Sequence, residues 1–237
     1  MPFSKSASSR NSFSLQRYCV ALFATILLSG CASKTTIAPE LKEAIHWYTG
    51  EAGFVADARA RSLLERVAAQ GNVLATMWLA RVYSTGRMTF PADKARAIEI
   101  ASTVIDQVER LANEGIGEAS FLMGTAYAEG LATAVDPAQA IVWYRKAAAT
   151  NSTLAQHNLG NAYATGTGVP QSDTDAVYWW SLAAEKGDAI PQYRLAEMYE
   201  LGRGVEQDTE LALRWYRESN RRGNRNAAAG LERLQAN

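Results

Sequence analysis

Few side chains of this protein belong to the types that perform catalysis or bind metal ions. Its 237 residues include two histidines, His46 and His157, and two cysteines, Cys19 and Cys31. The histidines are far apart in the sequence and form no i, i+4 pair of the kind that binds zinc on a helix. Two cysteines cannot build a disulfide scaffold and are too few for a zinc ribbon. We therefore predict no metal site.

Motifs of catalytic and phosphate-binding loops are also missing. The sequence contains no G-x-S-x-G nucleophile motif. Two glycine pairs resemble a phosphate loop, but neither is followed by Lys-Ser or Lys-Thr, and they recur along the chain, at Gly166/Gly168 and Gly202/Gly204. Such recurrence is typical of turns between helices. We predict no catalytic residue, no cofactor and no enzymatic activity.

The composition is that of a globular protein without a strong charge preference. Apolar residues make up 48% and charged residues 20% of the chain, which argues against a disordered protein. The 24 basic residues are balanced by 24 acidic ones, so the chain has no basic surface in excess. A nucleic-acid partner is therefore not expected.

The first thirty residues predict a cleaved secretory signal peptide. They contain Lys5, Arg10 and Arg17 but no acidic residue, and an apolar run extends from Tyr18 to Leu28. As a helix this run would reach about 16 Å, which is too short to span roughly 30 Å of hydrocarbon. Residues 1–30 are thus expected to direct export and not to remain as a membrane span.

The segment 28–31, LSGC, resembles the lipobox of bacterial lipoproteins. This resemblance implies cleavage before Cys31 and attachment of lipid to that cysteine, with residues 31–38 as a lipidated tether. Ala32 and Ser33 follow with no aspartate, which in Gram-negative lipoproteins favours the outer membrane. We expect the protein to face the periplasm there, and an ordinary soluble secretory signal is the alternative interpretation.

A period of 36 residues organises the remainder of the chain. Two sets of three residues have this spacing. One is Ala140, Ala176 and Ala212, and the other is Trp143, Trp179 and Trp215. A further column at the same period consists of Leu159, Leu195 and Leu231. A fixed period of this size indicates an array of repeated supersecondary units.

Each unit is predicted to contain two helices. The first carries one apolar stripe, which in one copy consists of Ala176, Trp179, Trp180, Ala183 and Ala184. We expect the aromatic pairs of this helix, at 143–144, 179–180 and 215–216, to lie in the core. Four residues before each leading alanine stand the expected N-caps, Asp93, Asp136, Ser172 and Asp208.

The combined pattern is A-x-x-W-[YW]-x-x-A-A, then Gly or Asn, then L-G-x-x-Y-x-x-G-x-G-V. It resembles the Sel-one-like repeat (SLR) family, which is related to tetratricopeptide repeats. The resemblance covers about residues 56–237, as four repeats and a partial fifth, and residues 39–55 look like an N-terminal capping helix. It implies an all-α fold, a right-handed α/α solenoid of helix pairs.

One unit departs from the period. Gly115 follows Ala97 by 18 residues, where the corresponding offset in the other units is 11. Seven extra residues are nearly two helical turns, so the apolar stripe keeps its face. We predict one helix over 97–114, about 10 Å longer than its neighbours and projecting from the solenoid rim. It is either a harmless insertion or a docking ridge.

The two histidines are expected to have structural surroundings. His157 occupies the helix position of Met77, Phe121 and Tyr193 in the other units, so a packed position is predicted for it. His46 falls on the exposed side of the capping helix by the same comparison. Neither is predicted to be a catalytic or metal-binding residue.

The face of the first helices opposite the apolar stripe supplies the candidate partner-binding residues, Val142, Arg145, Tyr178, Arg214 and Arg217. Family members line their inner curve with first helices, and the resemblance implies the same here. Arg and Tyr contribute disproportionately to interfaces. The three arginines favour an acidic segment of a partner.

These features predict a lipoprotein that binds other envelope proteins through its solenoid surface and the membrane through lipid on Cys31. A cell-wall or polysaccharide binder is the alternative, because Trp and Tyr rings stack on sugars when exposed; burial of Trp143, Trp179 and Trp215 would favour the protein scaffold. An envelope hydrolase is a minor alternative, since cysteine-rich family members are linked to β-lactam binding or hydrolysis.

Overall fold

The computed structural model describes residues 37–236. The predicted signal peptide, Cys31 and most of the tether lie outside the described residues. Within them the chain forms twelve α-helices and no strand, and consecutive helices pack against each other. In chain order they are α1 Pro39–Thr49, α2 Asp57–Ala69, α3 Val73–Thr85, α4 Lys94–Ser102, α5 Ile105–Asn113, α6 Gly117–Glu129, α7 Pro137–Ala149, α8 Thr153–Thr165, α9 Asp173–Glu185, α10 Ala189–Leu201, α11 Thr209–Arg221 and α12 Arg225–Gln235.

The predicted N-caps are confirmed. Asp136 accepts a hydrogen bond from the backbone N–H of Gln139 at 3.0 Å, and Asp208 accepts one from Leu211 at 2.9 Å. Asp93 and Ser172 bond the third residue of their helices in the same way. Each cap satisfies one amide that the first helical turn leaves without a partner, so the start of these helices is defined by local sequence.

The helices form two rows. The LG row, named after the L-G motif of α8, contains α3, α6, α8, α10 and α12; the Trp row contains α2, α4 with α5, α7, α9 and α11. Within the LG row, α3 contacts α6, α8 contacts α10, and α10 contacts α12. A repeated helix pair is thus covered on both sides by its neighbours, as a stacked array requires.

The core between the rows takes the second aromatic ring of each pair in the sequence. Tyr144, Trp180 and Tyr216 are buried, so the prediction of a core position is confirmed for these rings. Trp143 is buried as well. Trp179 and Trp215 are half-buried and pack at the margin of the core.

The prediction of one long helix over 97–114 is wrong. The helix ends at Ser102 and restarts at Ile105. Hydroxyl groups supply local alternatives to helical bonding there, because Thr103 Oγ1 donates to the carbonyl of Ile100 at 2.7 Å. The break directs α5 back onto α3 and α6. The apolar stripe through Ala101 and Val108 stays buried, so the seven extra residues add packing and do not project as one long helix.

The loops that end the helices of the LG row adopt backbone angles that favour glycine. Gly168 has a φ of 74°, and a side chain there would collide with the backbone of Pro137. Met88 and Ala132 occupy the equivalent position in the earlier units with φ of 51° and 57°. The loop conformation is therefore kept where the sequence has lost the glycine, at the expense of backbone strain.

The two ends of the helical array touch each other. The N–H of Val55, in the loop after α1, donates to the carbonyl of Arg222 at 3.1 Å. In return Nη1 of Arg222 donates to the carbonyl of Gly50 at 2.9 Å. The loop after the first helix is thereby fixed to the turn between α11 and α12. No period in the sequence predicts this contact.

Candidate partner-binding groove

The predicted partner-binding residues all lie on the Trp row and are exposed. Val142 and Arg145 are on α7, and Tyr178 is on α9; 45% of Val142 and 57% of Tyr178 is accessible to solvent. Arg214 and Arg217 are on α11. The structure therefore spreads them over three helices of one row, and it brings none of them into a cavity described below.

Several of these side chains already have neighbours within the chain. Arg145 Nη2 donates a hydrogen bond to the hydroxyl of Tyr163 at 2.7 Å. The ring of Tyr178 contacts that of Trp179 edge to face, with centroids 5.1 Å apart. The guanidinium of Arg214 lies 5.4 Å from the ring centre of Trp215. These contacts hold the side chains against the helix surface and leave their outer sides exposed.

A cavity of about 270 Å³ opens between α3, α6, α7 and α8. Charged and amide side chains from three helices of the LG row line it, together with the ring of Tyr144 from the Trp row. Its polar side chains are Arg81, Arg87, Glu129, Asn158, Asn161, Thr165 and Thr167. Hydrogen-bond donors from separate repeats therefore converge on one small volume.

Arg81 is the most unusual residue of this cavity. Only 3% of it is exposed, and its Nε and Nη1 atoms are buried with no hydrogen-bond partner among the described residues. The guanidinium lies 4.7 Å from the ring centre of Trp78, 5.2 Å from Phe121 and 5.5 Å from Tyr48. Cation–π contacts stabilise its faces, but its edges are left without acceptors.

An acid lies near Arg81 but is engaged elsewhere. Glu118 is buried, and its Oε1 accepts a hydrogen bond from Trp78 Nε1 at 2.6 Å. Burial raises the pKa of the Glu118 carboxyl to about 7, although the Trp78 bond and the charge of Arg81 act in the opposite direction. The structure records no ion pair between Glu118 and Arg81 among residues 37–236. Arg81 therefore forms no direct ion pair with this acid.

A second groove lies between α8 and α10. It has a volume of about 540 Å³ and contains His157, Asn161, Trp180, Arg194 and Glu197. His157 is buried, as predicted, and its Nδ1 lies 3.0 Å from Oδ2 of Asp188, the N-cap of α10. This pair holds α8 and the start of α10 together. His46 is partly exposed and pairs with Glu51 at 3.4 Å.

Sequence reasoning missed the face of the LG row. The residue after the L-G position recurs in successive units, as Arg81, Thr125, Asn161 and Glu197; the last three are 36 residues apart, and Arg81 precedes Thr125 by 44. Three of these residues line one or both cavities. The most regular motif of the period, A-x-x-W-[YW], lies in the other helix, so the sequence makes that helix look like the first of each pair.

Residues 37–236 contain neither a metal-ligand cluster nor a membrane-spanning helix. No group of three or more His, Cys, Asp or Glu side chains lies close enough to hold a metal ion. No helix there combines the length and apolar character needed to cross a membrane.

A family model for the Sel1 repeat matches four segments of the chain, residues 73–101, 117–151, 153–188 and 192–224. These segments cover more than half of the sequence. The second and third matches begin with a helix of the LG row and end after the next helix of the Trp row. In the register of the family, the LG row therefore supplies the first helix of each pair.

Solved structures show the same architecture. A protective antigen of uropathogenic Escherichia coli strains with an SLR fold is 27% identical over 91% of this chain, with a TM-score of 0.56, and the chain spans 43% of that antigen. A Sel1 repeat protein from Oxalobacter formigenes is 34% identical over 54% of this chain and 96% of its own length, with a TM-score of 0.51. No curated protein matches the chain significantly.

Proposed function

The chain belongs to the Sel1 repeat family, and from this premise we propose that it is a membrane-anchored adaptor that binds other envelope proteins on the periplasmic side of a bacterial outer membrane. Sel1 repeat proteins generally mediate protein–protein interaction on a scaffold that is generally non-catalytic. Membership of this family supports the non-catalytic binding role in the proposal. The compartment and the anchor depend on the sequence of residues 1–31.

The observation that carries the binding function is the convergence of polar side chains from successive repeats on the LG row. Asn158 and Asn161 of α8 and Glu129 of α6 line one cavity, and Arg194 and Glu197 of α10 line the next. Amide and charged groups at regular intervals suit an extended polypeptide, which presents its own N–H and C=O groups at intervals. In the family register this row is also the one expected on the inner curve.

Site-specific photo-crosslinking tests which row binds the partner. A photoreactive amino acid is placed in the full-length protein at Asn158 in the LG row, or at Val142 or Tyr178 in the Trp row. Illumination of intact cells followed by mass spectrometry is expected to identify a protein adduct at Asn158. Adducts confined to Val142 and Tyr178 would instead favour the surface predicted from the sequence. The absence of protein adducts at all three positions would contradict the adaptor function.

The lipid anchor has a separate test. Labelled palmitate is expected to be incorporated into the wild-type protein and lost in Cys31→Ser. When the same cells are fractionated, the variant should be missing from the outer-membrane fraction. Incorporation of label that survives Cys31→Ser would refute the anchor at this residue and leave the binding function to be judged by crosslinking alone.

A cell-wall glycan is the second candidate ligand. The exposed ring of Tyr178, supported by Trp179, is of the type that stacks on a sugar face. Against it, Trp143 is buried, and Trp179 and Trp215 are half-buried. Co-sedimentation with purified peptidoglycan that is lost in Tyr178→Ala would establish this alternative.

A further inference from the structure

We propose that the Trp row carries a second docking site, the α2/α4 groove, which receives an aromatic side chain of a partner protein. A basic residue next to that ring in the partner pairs with acidic residues of the groove. This site is separate from the two cavities of the LG row and goes beyond the binding function proposed above. It would let the adaptor hold two proteins at the same time.

The α2/α4 groove has a volume of about 960 Å³ and is lined by α2, α3, α4 and the loop before α4. Its apolar surface includes Ala68, Leu79 and Ile100, one residue from each helix. Leu79 and Ile100 are half-buried, so part of their apolar surface is open to solvent. The rings of Tyr83 and Phe90 also line the groove and pack edge to face, with centroids 4.9 Å apart. The groove thus offers a surface that is apolar and partly aromatic.

The sequence explains why the groove occurs at this place in the array. Ile100 stands three residues after the leading alanine of α4, where the later units have Trp143, Trp179 and Trp215. Because isoleucine is smaller than tryptophan, α4 leaves a space that the later units fill with their own indole. In addition, α4 ends at Ser102 after nine residues, whereas α7, α9 and α11 each have 13. The groove therefore lacks both a ring and the last turn of a helix.

The exposure of α3 shows the effect of the smaller side chain. Leu79 occupies the leucine position of the L-G motif and is half-buried. The residues at this position in α6, α8 and α10 are Met123, Leu159 and Leu195, and each is at most 1% exposed. Apolar surface that the other units keep from water is suited to a ring supplied by a partner. Trp and Tyr are also among the residue types that contribute most binding energy at protein interfaces.

The charges of the groove favour a basic residue beside this ring. The lining contains three acidic residues, Glu65, Asp93 and Glu99, and one basic residue, Arg96. Glu65 pairs with Arg61 on its own helix at 3.1 Å. Glu99 is exposed and has no ion pair within residues 37–236. Charge complementarity of this kind selects among partners more than it adds affinity, so the groove should discriminate against an acidic segment.

The test uses the full-length protein, labelled with ¹³C in the δ1-methyl groups of isoleucine, and reads the Ile100 signal by NMR. One probe is the peptide acetyl-Lys-Ala-Ala-Trp-Ala-Ala-Lys-amide. A second has alanine in place of the tryptophan, and a third has glutamate in place of both lysines. The tryptophan–lysine peptide is expected to shift the Ile100 signal saturably. The alanine peptide should bind at least tenfold more weakly, and the glutamate peptide at least threefold more weakly.

Two variants of α4 complete the experiment, with binding measured by the fluorescence anisotropy of dye-labelled peptides. Ile100→Trp places the indole of the later units in the groove and is expected to reduce binding of the tryptophan–lysine peptide at least tenfold. Ile98→Trp is the matched control, because Ile98 is exposed on the same helix and does not line the groove. Its binding should equal that of the wild type. If Ile100→Trp does not fold, the comparison of the tryptophan and alanine peptides on the wild-type protein still decides.

Equal binding of the tryptophan and alanine peptides, or wild-type binding by Ile100→Trp, overturns the docking site. Equal binding of the lysine and glutamate peptides overturns the basic neighbour of the ring. Self-association of the wild type in analytical ultracentrifugation that Ile100→Trp abolishes would also overturn the proposal, because a second copy would then occupy the groove. Crosslinking at Asn158 tests the LG row independently, so a failure of the α2/α4 groove leaves the proposed function standing.

Discussion

Gly160 of α8 lies directly against the indole of Trp180 in α9. A Cβ atom added at Gly160 would stand 2.5 Å from Nε1 of Trp180, well inside van der Waals contact. Gly124 has the same relation to Tyr144 in the preceding pair. The glycine of the L-G motif is therefore required by the volume of the aromatic ring that follows it twenty residues later in the sequence.

We expect Gly160→Ala to destabilise the protein. The added methyl group should displace Trp180 and lower the free energy of unfolding by about 1–3 kcal/mol, despite the gain in helix propensity. Urea denaturation measures the change. The comparison is Ala196→Gly at the equivalent position of α10, which adds no volume but loses helix propensity and a buried methyl group, at about 1–2 kcal/mol. A Gly160→Ala variant as stable as the wild type would contradict the close contact.

The two adjacent tryptophans of α9 should differ in their energetic importance. Trp180 is 4% exposed, and its replacement by alanine is expected to cost about 3–5 kcal/mol. Trp179 is half-buried, so Trp179→Ala should cost distinctly less. Thermal and urea unfolding of the two variants provide the comparison. Equal losses in the free energy of unfolding would mean that the two rings contribute equally to the core.

Stability should fall as the pH rises through the range in which Glu118 titrates. Burial raises the pKa of Glu118 to about 7, so the folded state binds a proton between pH 4.5 and 7 that the unfolded state has released. Folding therefore favours the protonated side chain. Its protonation adds on the order of 3 kcal/mol to the free energy of unfolding at low pH, and this gain is lost as the pH rises to about 7.

Glu118→Gln isolates this effect. Glutamine retains an acceptor for Trp78 Nε1 but does not titrate. The stability of the wild type relative to Glu118→Gln is expected to decline between pH 5 and pH 8 in urea unfolding. The exposed Glu185→Gln serves as the control and should show no such trend. Parallel pH profiles for the wild type and Glu118→Gln would rule out the raised pKa.

The contact between the two ends of the array should be measurable by hydrogen exchange. Arg222→Ala removes the donor to the carbonyl of Gly50 and should loosen the loop that carries Val55. We expect the Val55 amide to exchange about fivefold faster, as the loss of about 1 kcal/mol predicts. Arg221→Ala, at an exposed neighbouring position, is the matched control. Unchanged exchange in Arg222→Ala would mean that the side chain does not fix the loop.

The helical architecture could be derived from the chain because its determinants are local and repeated. The 36-residue period, the apolar stripes and the caps Asp136 and Asp208 act within a few residues of their position, and the structure confirms them. The break after Ser102 could not be derived in this way. An uninterrupted apolar stripe is compatible with one straight helix and with two shorter helices. Only the packing of α5 against α3 and α6 distinguishes these two structures.

The candidate site depended on the tertiary structure to a greater degree. Repeat alignment alone places Arg81, Thr125, Asn161 and Glu197 at one position of the repeat. Only the three-dimensional arrangement decided that Arg81 is enclosed by three rings and has no acid as its partner, and that Val55 meets Arg222. Periodicity specifies which face of a helix a residue occupies. Which residue contacts that face is decided by tertiary packing between segments that are far apart in the chain.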